Sequence, residues 1–186
     1  MDRALLICQN ARPAAEVFFS DEDRRAFLGI LREAAPREMV PVAGYCLLRA
    51  EARLLVHEDD AAAVARMLAF VRANHTEWLR TRKLAASVPW RGSFFQQPLS
   101  GDEVWWTLRD MELAPVRERI VDRAETWAWS SARDHLGLRA GNSLLRMTEW
   151  RERFTPAQWA LVLEQPRRER AKSARVAAAA AAPLFE

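Results

Sequence analysis

Two apolar runs on either side of a short polar break, between residues 42 and 56, constrain the fold of this chain more than any other stretch. Both runs are rich in residues that favour β-strands, which predicts a β-hairpin at the centre of a sheet. Glu51 and Arg53 lie two residues apart on the second arm of this hairpin. Because side chains alternate across a strand, the two are predicted to share one face of the sheet, where any chemistry of the hairpin would occur.

The predicted elements around the hairpin complete an α+β pattern. Ser20 and Asp23 have the spacing of a helix N-cap and its capping box, Pro36 is predicted to end that helix, and Thr155 and Pro156 begin a late helix. In chain order, the prediction is a strand at 3–8, a helix from 20 to about 35, the hairpin, a helix after 59–60, a strand at 93–96, a helix from 102 that Pro115 divides, a helical turn after 127–131, and a helix from 155 to about 164. This order is typical of a ferredoxin-like antiparallel sheet (strand-helix-strand-strand-helix-strand) with helices on one face, here followed by a C-terminal helical extension.

Composition narrows the class of protein. The 186 residues are half hydrophobic, which is enough for one domain, and the formal net charge is +3. Only Lys83 and Lys172 are lysine, so arginine supplies nearly all of the positive charge. Because arginine favours bidentate phosphate contacts and stacking, the high share of arginine favours nucleic acid as a partner.

Cysteine usage and hydropathy indicate the compartment. Cys8 and Cys46 both lie inside apolar runs, which predicts reduced core thiols, and their spacing does not suggest a metal site. The sequence shows no secretory leader and no apolar run long enough to span a bilayer. We therefore expect a cytoplasmic protein with no membrane association.

Two basic stretches are predicted to contact nucleic acid. The first has six basic residues between positions 66 and 91 against the single acid Glu77, and the second is the C-terminal tail. Either stretch could instead be an ordinary solvated helix face. Most of the tryptophans are predicted to be core residues, but Trp90 lies in a turn and is predicted to stack on a base. The predicted contact residues are Arg66, Arg72, Arg80, Arg82, Lys83, Trp90, Arg91, Arg167, Arg168, Lys172 and Arg175. Asn10 and Arg12 lie in a loop that could also reach nucleic acid.

Five short stretches occur in the order that one protein family shows. They are Val-Phe-Phe-Ser-Asp-Glu-Asp-Arg at 17–24, Gly-Tyr-Cys-Leu-Leu at 44–48, Trp-Arg-Gly-Ser-Phe at 90–94, Glu-Leu-Ala-Pro-Val-Arg at 112–117 and Trp-Ala-Trp-Ser-Ser-Ala at 127–132. Together they resemble the REP-associated tyrosine transposases, which belong to the insertion-sequence-200-like members of the HUH single-strand transposase superfamily and have a ferredoxin-like domain. The resemblance implies a transposase-like domain at residues 1–137 and a helical, basic and alanine-rich extension at 138–186.

The family's chemistry depends on residues that this chain has replaced. In the family, a His-x-His pair on the second hairpin strand holds Mg²⁺ or Mn²⁺, and a tyrosine with an Asn or Gln four residues later attacks the DNA phosphate. The matching positions here are Glu51 and Arg53 for the histidine pair, and Asp110 and Ala114 for the tyrosine and asparagine. A guanidinium stays protonated and repels a cation, and a carboxylate is a poor nucleophile towards a phosphodiester. The chain is therefore predicted to be a degenerate family member with neither catalytic residues nor a metal cofactor.

The resemblance and the basic stretches together lead to one functional expectation. We expect a catalytically inactive, transposase-related protein, monomeric or homodimeric, that binds single-stranded or hairpin DNA. One alternative is a structural or protein-interaction remnant that no longer binds DNA. Another is an active, metal-dependent DNA strand transferase whose Mg²⁺ site has been rebuilt from Glu51 and Asp110.

Overall fold

A computed structural model describes residues 3–57, 60–82, 84, 89–92 and 94–165 of the chain. The described residues form four strands, seven α-helices and one 3-10 helix, which confirms the predicted α+β class. The elements are β1 (Ala4–Asn10), α1 (Asp21–Arg37), β2 (Val42–Leu47), β3 (Glu51–His57), α2 (Ala61–Thr81), β4 (Phe95–Leu99), α3 (Asp102–Glu112), α4 (Ala114–Arg117), the 3-10 helix (Ala124–Thr126), α5 (Ala132–His135), α6 (Thr148–Arg153) and α7 (Pro156–Glu164).

The four strands form one antiparallel sheet in the order β2-β3-β1-β4. This order and the βαββαβ succession are those of the predicted ferredoxin-like fold. The predicted hairpin is β2 and β3, and its turn is closed by a hydrogen bond from the Leu48 N–H to the Glu51 carbonyl at 2.8 Å. β3 therefore lies between β1 and β2, so its middle residues have a neighbouring strand on both sides.

Helices α1 and α2 cover one face of the sheet. Apolar residues recur along α1 every three or four positions, and Phe27 and Leu31 pack with Met67 of α2 against this face. The Ser20 side chain accepts a hydrogen bond from the Asp23 N–H, and the Asp23 carboxylate accepts one from the Ser20 N–H, which is the predicted capping box. Helix α1 extends slightly beyond the predicted end, because the Glu38 N–H still reaches the Ala34 carbonyl at 3.0 Å.

The opposite face of the sheet carries a second core. Leu108 of α3, Trp150 of α6 and Trp159 of α7 pack there against Cys46 and Leu55 of the sheet. Residues beyond 137 thus supply large side chains to the core of the described fold. The division into a domain at 1–137 and an extension at 138–186 stays a prediction about sequence similarity.

Helix length and hydropathy bear on membrane association. None of the helices in the described part of the chain is both long enough and apolar enough to cross a membrane.

Gly44 in β2 provides a test of the second core. A Cβ atom at this position would collide with the side chain of Leu108 and lie 2.9 Å from Met111 Cε and 3.2 Å from Ser131 Oγ. We expect Gly44→Ala to lower the free energy of unfolding by roughly 1–3 kcal/mol, because the packed neighbours must move to accept one carbon atom. Urea denaturation followed by circular dichroism measures this change.

Gly29 in the middle of α1 is the matched control. It is exposed, and a Cβ atom there would meet nothing within 4 Å. We expect Gly29→Ala to raise the free energy of unfolding by roughly 1 kcal/mol, because alanine favours a helix. Equal stability of the two variants would contradict the close approach at Gly44.

Candidate functional site

The hairpin positions that match the family's metal ligands hold an ion pair. Arg53 donates through Nε and Nη2 to the same carboxylate oxygen of Glu51, at 2.8 and 2.6 Å. The two side chains share a face of β3 as predicted, and both are half-buried. In the sheet register Arg53 lies between Cys8 of β1 and Cys46 of β2. The guanidinium is therefore held at the centre of the sheet by a carboxylate on its own strand.

The two cysteines beside Arg53 are buried and unbridged, as expected for core thiols. Burial raises the pKa of the Cys8 thiol to about 12, with a smaller contribution from the nearby Glu51 carboxylate. Burial raises the pKa of Cys46 as well. Both sulfur atoms are thus protonated at neutral pH and are poor metal ligands and nucleophiles.

The positions that match the family's nucleophile and its asparagine lie on α3 and α4. The Asp110 carboxylate is 3.1 Å from Arg109 Nη1 and 3.8 Å from Arg117 Nη1. Ala114 is buried in the second core. Asp110 is therefore neutralised by arginines, and Ala114 offers no polar group.

Glu118, directly after α4, connects the hairpin to α4, and it was not among the residues predicted from the sequence. Its carboxylate lies 4.0 Å from Arg53 Nη2. Burial raises the pKa of Glu118, while the charge of Arg53 opposes this change. Arg117, next in the chain, contacts Asp110. The site is thus a row of alternating charges running from the hairpin to α4. No motif spacing marks Glu118, because its contact with Arg53 depends on how α4 packs.

This row of charges does not fit the divalent metal ion that the resemblance implies. Arg53 occupies an oxygen of Glu51 that a metal would need, and its positive charge would repel a cation. Among the described residues, no group of three His, Cys, Asp or Glu side chains is arranged to hold a metal ion. In the alternative of a rebuilt Mg²⁺ site, Glu51 and Asp110 would be its ligands, but each of these carboxylates is paired with arginine.

Tyr45, the single tyrosine of the chain, is fully buried. Its hydroxyl accepts a hydrogen bond from Arg139 Nη2 at 2.7 Å. Burial raises the pKa of this phenol. The residue is therefore a core aromatic whose hydroxyl is already bonded to Arg139.

Three of the predicted nucleic-acid contacts are paired with acids. Arg66 Nε lies 2.7 Å from Glu38, Arg80 Nη1 lies 3.1 Å from Glu77, and Arg82 Nη2 lies 2.6 Å from Glu22. Glu22 lies in α1 and Glu38 directly follows it. The carboxylates of α1 therefore offset part of the positive charge that the sequence gives to α2. Arg72 instead reaches a backbone carbonyl, that of Gly92. Lys83, Arg167, Arg168, Lys172 and Arg175 lie outside the described residues.

The prediction that Trp90 stacks on a base needs correction. Its ring is fully buried in an aromatic cluster, with centroids 6.0 Å from Phe18, 5.9 Å from Phe27 and 5.5 Å from His75. Its side chain points into the core between the sheet and helices α1 and α2, so no ring face is open to a nucleobase.

Comparison with known proteins identifies the fold. No protein-family model and no curated protein matches the sequence. Among solved structures, the chain is similar to a REP-associated tyrosine transposase bound to a REP hairpin, with a TM-score of 0.57 and 8% identity over 78% of this chain and 83% of that one. A putative transposase from Deinococcus radiodurans R1 matches with a TM-score of 0.44 and 11% identity, over 59% of this chain and 88% of that one. The first of these two similarities shows that the chain shares the fold of that solved structure.

The thiols beside Arg53 give a chemical test of the site. Because both are buried and hold their protons, we expect neither Cys8 nor Cys46 to react with Ellman's reagent at pH 8 in the folded protein. Two thiols per chain should react in concentrated guanidinium chloride. Fast reaction of either thiol in the native state would show that the centre of this face is open to solvent.

The buried His75 makes the stability of the fold depend on pH, which gives a second test. Burial lowers the pKa of His75 to about 4, although its Nε2 lies 3.2 Å from the Asp23 carbonyl. The unfolded chain protonates this imidazole below pH 6.5 while the folded chain does not, so stability present at pH 7 is lost as the pH falls towards 4. We expect the wild-type protein to lose roughly 2 kcal/mol more than His75→Phe between pH 7 and pH 5. Urea denaturation at both pH values measures the difference, and parallel losses would contradict the assignment.

Proposed function

We propose that this chain is a transposase-related DNA-binding protein that neither cuts nor rejoins DNA. The observation that carries the proposal is the ion pair between Glu51 and Arg53 at the hairpin positions that match the family's metal ligands. A metal ion at this position would polarise the scissile phosphate, and a guanidinium bound to a carboxylate does not perform that role. The burial of Tyr45 and the pairing of Asp110 with arginine also support the proposal that the nucleophile has been lost.

Support for a DNA partner comes from the fold and from the charge. One similar solved structure is that of a transposase bound to a REP hairpin, and the present chain carries a formal net charge of +3, with nearly all of its positive charge on arginine. We propose single-stranded or hairpin DNA as the ligand and a cytoplasmic monomer or homodimer as the protein. Arg72 and Arg91 are the described contacts that we retain from the sequence prediction. The proposed contacts outside the described residues are Lys83, Arg167, Arg168, Lys172 and Arg175.

The pairing of arginines with acids along α2 favours a second candidate function, a remnant that no longer binds DNA. Arg66, Arg80 and Arg82 are paired with carboxylates, which lowers the positive potential along α2. A remnant that has lost DNA binding and serves only a structural or protein-interaction role would show such neutralised arginines.

The deciding experiment uses the full chain and a labelled hairpin oligonucleotide with single-stranded arms. On a native gel at low ionic strength we expect a shifted band that is lost as salt rises, because phosphate contacts release counterions. On a denaturing gel with Mg²⁺ or Mn²⁺ we expect neither cleaved product nor covalent adduct.

Each remaining outcome overturns one part of the proposal. Absence of a shifted band at low salt would establish the remnant. Cleavage or an adduct that disappears with EDTA would establish an active strand transferase, and the variants Tyr45→Phe and Asp110→Asn would then identify the nucleophile.

A further inference from the structure

A surface groove of about 580 Å³ lies between α7, the turn after α5, the 3-10 helix and α4. The charged residues of the candidate functional site do not line it, so the groove is a separate feature of the described structure. Most of its lining is apolar. The side chains that matter below are Leu136 and Leu138 from the turn, Val116 from α4, and Ala157, Ala160 and Leu163 from α7.

Helix α7 presents one face to the second core and another to the groove. Trp159 is fully buried in the core, whereas Ala157 and Ala160 line the groove. Because alanine carries only a methyl group, a further segment of chain has room to approach the backbone of α7 here. Leu138 also lines the groove and is 57% exposed. A contiguous apolar surface of this kind is typical of a docking site.

Acidic side chains give the groove a negative charge. The described lining has three acids, Asp122, Glu125 and Glu164, against one base, Arg123. Arg123 Nε is paired with Glu125 at 2.5 Å, while Asp122 and Glu164 are exposed. A segment that joins positive charge to an apolar stretch therefore complements this surface.

The end of α7 fixes where the chain leaves the described fold. Arg109 of α3, itself buried, donates through Nε to the Val162 carbonyl at 2.7 Å and through Nη2 to the Gln165 carbonyl. Gln165 is the last described residue, and Glu164 before it lines the groove. Residue 166 is proline, which lacks the backbone N–H that would continue α7. The rest of the chain therefore begins at the edge of the groove.

The 21 residues after Gln165 lie outside the described residues, and their sequence has the complementary chemistry. Five basic residues between positions 167 and 175 are opposed only by Glu169. Positions 176–185 carry no charge and consist of valine, six alanines, proline, leucine and phenylalanine. Since α7 is about 14 Å long at 1.5 Å per residue, a segment of this length can return along it.

We propose that residues 176–185 of this same chain dock in the groove. Leu138, Ala157 and Ala160 supply the apolar contacts, and Asp122 and Glu164 attract the basic residues that precede the docked stretch. The contact is made within the chain, so the inference does not rest on the proposed DNA binding. Because the docked stretch is uncharged, the basic residues of the tail that are proposed to contact DNA remain outside the groove.

The test uses the full chain with one cysteine added to the tail and one to the fold. Ala179→Cys is combined with Leu138→Cys in the groove or, as the control, with Met39→Cys, and a short bismaleimide links thiols that lie close together. Met39 is 85% exposed and follows α1, which covers the opposite face of the sheet. We expect the Leu138→Cys pair to cross-link within one chain about tenfold faster than the Met39→Cys pair, because docking raises the effective concentration of the tail thiol. Mass spectrometry identifies the linked peptides and excludes the buried Cys8 and Cys46.

A filled groove gives a second comparison. Ala160→Trp places a large side chain in the groove, and Leu161→Trp places the same side chain at a neighbouring position that is 62% exposed and does not line it. We expect Ala160→Trp to slow the cross-link between Leu138→Cys and Ala179→Cys severalfold and Leu161→Trp to leave its rate unchanged.

Two outcomes would overturn the inference. Equal rates for the Leu138→Cys and Met39→Cys pairs would show that the tail does not occupy the groove. A cross-link between chains, seen as a dimer on a denaturing gel and lost on dilution, would assign the groove to a second copy of the chain. Circular dichroism establishes that each variant is folded, and the comparison at the exposed positions Leu138 and Met39 decides the question if Ala160→Trp unfolds.

Discussion

The second face of the sheet depends on one buried carboxylate, Glu112 at the end of α3. Ser131 Oγ donates to it at 2.6 Å, Trp159 Nε1 donates at 2.9 Å, and His135 Nδ1 lies 2.5 Å away. All four side chains are fully buried. Burying a carboxyl group this deeply is costly unless hydrogen bonds satisfy its oxygen atoms, so loss of a partner leaves a buried polar atom without a hydrogen bond. The contact therefore fixes how α3, α5 and α7 pack together.

The same carboxylate links stretches of the chain that resemble the family through hydrogen bonds rather than through catalytic groups. Ser131 also accepts from the Tyr45 N–H at 3.2 Å, which joins three of the stretches that resemble the transposase family. Gly44 allows Leu108 to approach the sheet at this point. These residues are thus constrained by packing and hydrogen bonding, independently of catalysis. Glu51, Arg53 and Asp110 donate or accept none of these hydrogen bonds to Glu112, Ser131 and Tyr45.

Residue patterns over a few positions predicted the helices and strands. Contacts between elements that are distant in the sequence could not be predicted in this way. The hairpin, the capping box at Ser20 and the helix after Thr155 each depend on residues within a few positions of one another. Trp90 failed as a stacking prediction because its burial depends on α1 and α2 meeting over the sheet. Arg66 and Glu38 likewise form an ion pair although they are 28 positions apart. A count of charges in a local stretch of sequence does not include such a partner.

The charged side chains of the hairpin differ in their pairing from two arginines elsewhere in the described structure. The ion pair of Glu51 and Arg53 satisfies its own charges within the hairpin, so the hairpin is electrically balanced without a metal ion. Arg12 and Arg72 have no such balance among the described residues, and the backbone that carries Arg91 is fixed by a buried tryptophan. If strand cleavage has been lost as proposed, the hairpin keeps its charges balanced without a metal ion, because Arg53 takes the place of a cation beside Glu51.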